Sequence, residues 1–417
     1  MSASKPRESL VRPFRGLRPT PDQAGAVAAP PYDVLSSAEA RGRAAGRPWS
    51  FLHISRAEID LPEDTDPTAP EVYAKAAENM KKMVDAGVLI RDPRPCYYAY
   101  RLTMGDHSQT GVVVAASVAA YDLNAIRRHE LTRPDKEDDR VRQIEAVNAQ
   151  TGPVLVTHRP HVDIEAALSG VTKGAPTCDV TADDGVVHTL WVIDDATLID
   201  SLTAAFNELG TLYIADGHHR SAAASRVAAK RRAKAANDLA EYFLAVAFAT
   251  NQMRVLDYNR VVKDLNGLGS DEFLARIKER FAVETCDRAV KPETAHTFGM
   301  YLDGQWYRLT PKDPLPLAED PTARLDVSLL HNRLIEPLLG IHDPRRDKRI
   351  DFVGGIRGMA ELERRVDSGE MRVAFALYPT SMEELLAVAD AGEMMPPKST
   401  WFEPKLADGL VSYPLWE

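Results

Sequence analysis

The sequence predicts an α+β chain, with strands and helices mixed along its 417 residues, and three observations carry that prediction. Apolar alternating runs and helix-forming runs follow one another from end to end. Residues 96–104 and 111–121 are two strand-like runs joined by Gly105-Asp106-His107-Ser108, which makes a hairpin. Residues 212–236 pass from an apolar run, through a tight polar loop, into an alanine-rich helix former.

The elements follow in order. Paired prolines in Ala29-Pro30-Pro31-Tyr32-Asp33-Val34-Leu35-Ser36 force an extended, kinked path. Ser36 then caps a helix through residues 39–45, and residues 50–55 have the composition of a short strand. A helix spans 71–86, with Gly87 as its stop. After the hairpin comes a dense polar block, 127–148. Strands are expected at 151–157, 189–193, 212–216 and 241–249, and helices at 196–209 and 222–236. From residue 270 the pattern resets, with a helix over 271–281 capped by Ser270 and a hairpin of 296–302 and 305–309 across Asp303-Gly304. A proline-rich connector at 311–321 precedes helices at 327–339, 359–368 and 382–391 and a strand at 372–377.

Composition narrows the class of function. Hydrophobic content of 44% and charged content of 27% are ordinary for a globular protein. The three cysteines, Cys96, Cys178 and Cys286, lie far apart without a C-x-x-C pair, so neither a zinc ribbon nor a disulfide framework is supported. A reducing cytoplasm is the expected compartment. The first residues lack an apolar signal core, and the longest apolar runs are too short to span a bilayer, so no membrane partner is expected. A net charge of -10 disfavours a nucleic-acid partner but leaves room for a small anionic ligand.

The densest chemistry lies in Leu212-Tyr213-Ile214-Ala215-Asp216-Gly217-His218-His219-Arg220-Ser221. A loop opening a helix presents free backbone N–H groups and the positive end of the helix dipole to an anion. Gly217 lets the backbone approach closely, and Arg220 offers a planar fork suited to phosphate oxygens. Asp216 would repel phosphate unless it holds a metal or takes a proton. A plain turn followed by a serine cap is the bland alternative. Adjacent histidines point apart on a helix and are a poor metal signature alone.

Two further blocks stand out. In the polar block, Glu130 follows an apolar strand and can act as a base toward a bound hydroxyl, while Arg140 on the following helix can reach an anion. A solvated charged face is the competing reading. Near the C-terminus, paired prolines fix the backbone before Lys398, Ser399 and Thr400, a lysine and two hydroxyls able to bind phosphate or carboxylate. A rigid packed turn would explain them equally. Pro31-Tyr32-Asp33 is a third candidate, or a structural turn. The Walker A, G-x-G-x-x-G and G-x-S-x-G patterns are all missing from the sequence.

The whole chain resembles a bacterial and archaeal family catalogued as a domain of unknown function, DUF1015. The likeness is carried by Pro13-Phe14-Arg15, Ala29-Pro30-Pro31-Tyr32-Asp33-Val34, His129-Glu130-Leu131-Thr132, Asp139-Arg140, the 213–220 loop, and Met395-Pro396-Pro397-Lys398-Ser399-Thr400-Trp401-Phe402-Glu403-Pro404-Lys405-Leu406. Asn259 departs from the pattern, which has a histidine before Arg260. The loop also resembles the phosphate loop of the ParB/sulfiredoxin fold, which includes CTP-binding partition proteins, sulfiredoxin and free-serine kinases. Those kinases carry a similar Asp-Gly-His-His-Arg and an upstream His-Glu pair whose glutamate is the catalytic base; His129-Glu130 matches that pair.

The resemblance implies a ParB/sulfiredoxin-like core over 96–265, an N-terminal α/β segment over 1–95, and a C-terminal α/β domain over 266–417 that closes the site. It implies a small-molecule kinase using ATP, ADP or CTP with Mg2+, acting on a small hydroxylated metabolite such as free L-serine. Glu130, Asp216 and His219 would be catalytic, with Asp216 also anchoring the metal. Gly217, His218, Arg220, Arg140 and His129 would hold the nucleotide phosphates, His218, His219 and Arg220 neutralising their charge, and Lys398, Ser399 and Thr400 would complete the site. The alternative is a ParB-like nucleotide-binding regulator or sensor without significant turnover; a hydrolase of a phosphorylated metabolite is a third option.

Overall fold

The computed structural model describes residues 9–233, 238–314, 316 and 319–416. The first residues of the expected leaderless N-terminus, the end of the expected 222–236 helix and part of the 311–321 connector lie outside them. The chain is α+β and forms two units, residues 1–253 with 404–417, and residues 254–403.

The first unit is built on one mixed sheet. Its strands are β1 (Val11–Arg12), β2 (Tyr97–Met104), β3 (His107–Ser117), β4 (Ile126–Arg127), β5 (Val154–His158), β6 (Cys178–Thr181), β7 (Val187–Ile193), β8 (Leu212–Asp216) and β9 (Tyr242–Ala249). They lie in the order β4-β8-β5-β9-β3-β2-β7-β6, with β1 on β3. β2 and β3 form the expected hairpin, tighter than the sequence suggested, with Met104 opposite His107 and Gly105 at a positive φ of 61°. All eight residues of β9 are buried. It lies so close to β3 that a Cβ on Gly111 would come 2.5 Å from the Ala247 carbonyl oxygen.

Helices α1 (Pro70–Asp85), α2 (Pro134–Val147), α3 (Val162–Val171), α4 (Ala196–Leu209) and α5 (His218–Arg232) belong to this unit. α4 has the bounds its sequence predicts, because Asp195 caps its start and Gly210, left-handed at φ 67°, ends it. Ile164 and Leu168 of α3, Leu202 and Phe206 of α4, and Ala224 and Ala228 of α5 share one core with Val112, Val114 and Phe243 of the sheet. Burying each large side chain of this kind contributes about 1.5–3 kcal/mol.

Some expectations need correction. Residues 50–55 are not a strand: Leu52–Ser55 form a helical turn. Phe51, Leu52 and Ile54 are buried together with Met80 and Met83 of α1, so packing overrides the local strand preference. The strand expected at 111–121 ends at Ser117, whose side chain caps a short helix, Val118–Asp122. Helix α5 starts at His218, four residues before the predicted start, so both histidines and Arg220 are in its first turn.

The second unit holds a six-stranded antiparallel sheet. Its strands are β10 (Tyr258–Val262), β11 (Phe281–Cys286), β12 (Phe298–Leu302), β13 (Gln305–Pro311), β14 (Ile350–Gly354) and β15 (Val373–Ala376), in the order β11-β13-β12-β15-β10-β14. Helices α6 (Ser270–Arg280), α7 (Gly358–Asp367) and α8 (Met382–Asp390) accompany it. Ser270 is the first residue of α6, not its cap; Gly269 occupies that position and Ser270 Oγ bonds Asp303 instead. Among the described residues, no helix is long and apolar enough to cross a membrane.

Candidate functional site

Two strand ends create the site. β4 runs parallel to β8, with Ile126 opposite Leu212 and Arg127 opposite Tyr213. Parallel neighbours finish on the same side, so His129-Glu130 emerges beside the turn that follows Asp216. β8 carries a bulge between Ile214 and Asp216 where it pairs with β5, and such an extra residue bends the strand just before the turn. Gly217 caps α5 with φ 98° and ψ 28°, a left-handed conformation that glycine adopts without strain. Its carbonyl accepts the amides of Arg220 and Ser221. The amides of His218 and His219 therefore precede the first intrahelical bond, as an anion cradle requires.

Glu130 and the cradle are adjacent. The Glu130 Oε2 lies 3.7 Å from His218 Nδ1, with the glutamate side chain 43% exposed and the histidine 4% exposed. His218 packs edge-on against His129, ring centroids 4.5 Å apart. Burial, then the neighbouring His129, pushes the His218 imidazole well below its ordinary range. Burial pushes His129 down to about 4 and lowers His219 as well. Burial thus favours the neutral form of all three imidazoles in the absence of a bound anion. Positive charge near the turn comes from arginine and lysine.

Arg220 folds back over Gly217, so that a Cβ there would stand 2.9 Å from Arg220 Nε. Its guanidinium donates to the Pro153 carbonyl and lies 3.8 Å from Asp216. Lys405 Nζ lies 3.2 Å from the other Asp216 oxygen. Burial alone would raise the Asp216 carboxyl, but Lys405 and Arg220 outweigh it and hold it well below the usual carboxylate range. The residue expected to anchor Mg2+ is thus already bracketed by two cations.

The chain ends complete the cluster. Asp408 exchanges backbone hydrogen bonds with Ala29, at 3.1 and 2.9 Å. This brings Tyr32 and Asp33 alongside. The Arg140 guanidinium stacks 3.8 Å from the centre of the Tyr32 ring and pairs with Asp139 at 2.7 Å. Helix α2, which carries Arg140, is tied to α5 by Arg226 with Glu137 and Asp138, and by Lys230 with Glu145, at 2.6–3.1 Å. These are largely exposed pairs, each worth a few tenths of a kcal/mol, but together they align the two helices.

Asp408 was not singled out by the sequence. It is 1% exposed, and among the described residues its Oδ1 has no hydrogen-bond partner. That oxygen lies 3.4 Å from the place a Cβ on Gly152 would take, next to Arg220. Burial raises its carboxyl from 3.8 to about 7, against the opposing pull of Arg220. Between those values the native state keeps a proton that the unfolded chain releases. The group's stabilisation is therefore complete below pH 3.8 and is lost as pH rises through about 7. Asp408→Asn, which cannot ionise, should gain stability relative to the parent as pH rises, by up to about 4 kcal/mol. Urea unfolding at pH 5 and pH 8 checks this; a difference independent of pH would refute the buried proton.

Lys398, Ser399 and Thr400 belong to the second unit. There Lys398 has a left-handed φ of 58°, its carbonyl accepts from Arg260 at 3.0 Å, and its ammonium lies 5.7 Å from the Tyr258 ring centre. Ser399 Oγ donates to the Pro396 carbonyl and Thr380 donates to Ser399. Asn259 is fully buried, donating to Asp257 and accepting from the Leu377 amide. The 395–406 motif did contain a residue of the first-unit cluster, Lys405. Asp408-Gly409, an acid before a glycine, was the sequence signal for the other.

A family model described as a protein of unknown function (DUF1015) matches residues 11–328. No curated protein matches the sequence. Solved structures similar to this chain include a free serine kinase in complex with AMP, at 14% identity, covering 72% of this chain and 92% of that one, with a TM-score of 0.33. SbnI with a C-terminal truncation, from Staphylococcus aureus, is 13% identical over 71% of this chain and 85% of its own, with a TM-score of 0.37. A conserved hypothetical protein from Pyrococcus furiosus is 14% identical over 72% and 95%, with a TM-score of 0.32. Likeness at this level carries no functional argument, which must come from the residues.

Proposed function

The chain belongs to the DUF1015 family, whose description assigns no activity, and from the site we propose a small-molecule kinase that moves a nucleotide's terminal phosphoryl group to a hydroxyl, with free L-serine as the first acceptor to test. The observation that carries this reading is the 3.7 Å approach of the Glu130 carboxylate to His218, in the first turn of the helix that Gly217 opens. A half-exposed carboxylate and an anion cradle at one end of one sheet are what phosphoryl transfer to an alcohol needs. Such transfer depends mainly on alignment and charge neutralisation.

In this reading the terminal phosphates rest on the N-terminus of α5. Arg220, with Arg140 and Lys405 nearby, supplies positive charge. Glu130 takes the proton of the acceptor hydroxyl as its oxygen attacks the terminal phosphorus. The bond from phosphorus to the bridging oxygen breaks, and its electron pair leaves with the shortened nucleotide. Asp216, through its ion pairs, orients Arg220 and Lys405. The carboxylate expected to hold a metal, Asp216, already faces two cations, so it does not suit a protein-held ion. Mg2+ would arrive with the nucleotide's own phosphates.

Phosphorus NMR tests the proposal, using purified protein with Mg2+, serine, and ATP, ADP or CTP in separate tubes. A new phosphomonoester resonance from one donor is the expected result. Nucleotide binding without any new ester would favour the nucleotide-binding regulator.

A further inference from the structure

The two adjacent histidines of the turn each make one contact that neither a phosphate ligand nor a metal ligand needs. His218 Nε2 accepts the backbone N–H of His129 at 3.5 Å. His219 Nε2 accepts the backbone N–H of Arg133 at 3.1 Å. Those two amides stand on either side of Glu130, one residue before it and three after it. We propose that His218 and His219 are positioning residues, a pair of imidazole clamps that hold the Glu130 loop at both ends against the first turn of α5. The assignment rests on the kinase reading for what Glu130 does, and on the hydrogen bonds alone for what the histidines do.

The chemistry of imidazole makes the contact specific. A ring nitrogen that accepts a hydrogen bond carries no proton, so the neutral ring must carry its proton on the other nitrogen. In His218 that nitrogen is Nδ1, the atom facing Glu130 Oε2 at 3.7 Å. A neutral N–H beside the carboxylate orients it without the full charge of an imidazolium, which would weaken it as a base. A protonated imidazole could accept no amide at all.

The loop's other contacts are polar: the Arg133 carbonyl accepts the amides of Lys136 and Glu137 as α2 begins. Leu131 is 61% exposed. The Arg133 side chain is 70% exposed and pairs with its neighbour Asp135, while Thr132 donates to Glu137 at the start of α2. Nothing apolar on 130–133 is buried, so its place is set by polar contacts. Neighbouring residues at a helix start point about a third of a turn apart. That divergence, which makes the pair a poor chelate, lets it grip two amides four residues apart in the chain.

The test uses the full chain and three readouts. Nitrogen-15 NMR of the imidazoles should show both rings neutral, with Nδ1 protonated and Nε2 bare; Nε2–H or cationic rings would overturn the proposal without any variant. His219→Ala should speed amide exchange of 129–133 at least tenfold, with ADP affinity changed less than threefold. His219→Gln, whose side-chain carbonyl can accept the Arg133 amide, should restore part of the protection, and it carries the test if the alanine variant does not fold. Turnover should fall through kcat with nucleotide KM held. A tenfold loss of ADP affinity with loop exchange unchanged would make His219 a phosphate ligand and refute the clamp. If the parent protein transfers no phosphoryl group, the kinase reading fails while exchange and tautomer still decide this one.

Discussion

Glu130→Gln is expected to cut phosphoryl transfer at least a hundredfold while leaving nucleotide affinity within about threefold, the loss that removing a general base produces. The substitution keeps the side chain's shape and its amide oxygen can still face His218, 3.7 Å away in the parent. It removes only the ability to take a proton. The carboxylate lies beside the anion cradle and contributes no cation to it, so ground-state phosphate binding should persist. The deficit should appear in kcat and equally in kcat/KM, the pattern of an interaction made only in the transition state. Steady-state kinetics and calorimetric ADP titration check both halves. A variant that turns over normally would remove Glu130 from the mechanism.

Gly217→Ala is expected to damage fold and site together. At φ 98° any L side chain is strained, at a cost of roughly 1–2 kcal/mol. The new Cβ would also sit 2.9 Å from Arg220 Nε and 3.1 Å from its Cζ, so the guanidinium would have to leave Pro153 and Asp216. Displacing it leaves the Asp216 carboxylate with Lys405 alone and strips charge from the cradle. Melting temperature should fall by several degrees, and ADP affinity by tenfold or more. Gly25→Ala is the control: its Cβ meets nothing within 4 Å, so stability should hardly change. Equal behaviour of the two variants would mean the turn has no special geometry.

The candidate site was legible in pieces. The turn at 216–220 was readable because glycine, acid, basic fork and helix former lie within ten residues. Glu130 was readable only as an acid after a strand, and the histidines only as neighbours of the turn. Nothing local says that an imidazole is buried, and burial is what makes His129, His218 and His219 neutral. Lys405 was included only within the 395–406 motif, whose expected ligands were Lys398, Ser399 and Thr400. Asp408 was not singled out, because its raised carboxyl depends on burial and on partners such as Ala29, Tyr32 and Arg220, all distant in sequence.

The fold shows the same division. Where caps and stops are adjacent in sequence, as at Asp195 and Gly210, element bounds followed from local chemistry. Where a segment takes its form from what covers it, as at Leu52–Ser55, local preference pointed the wrong way. By itself the sequence determined the α+β class, the family, and a helix start able to receive an anion, since each depends on neighbouring residues. Only the tertiary structure decided that Glu130 meets that helix, because parallel pairing of β4 with β8 joins segments 86 residues apart, Ile126 opposite Leu212. It also decided which groups there carry charge, since desolvation belongs to the packed molecule and not to any stretch of chain.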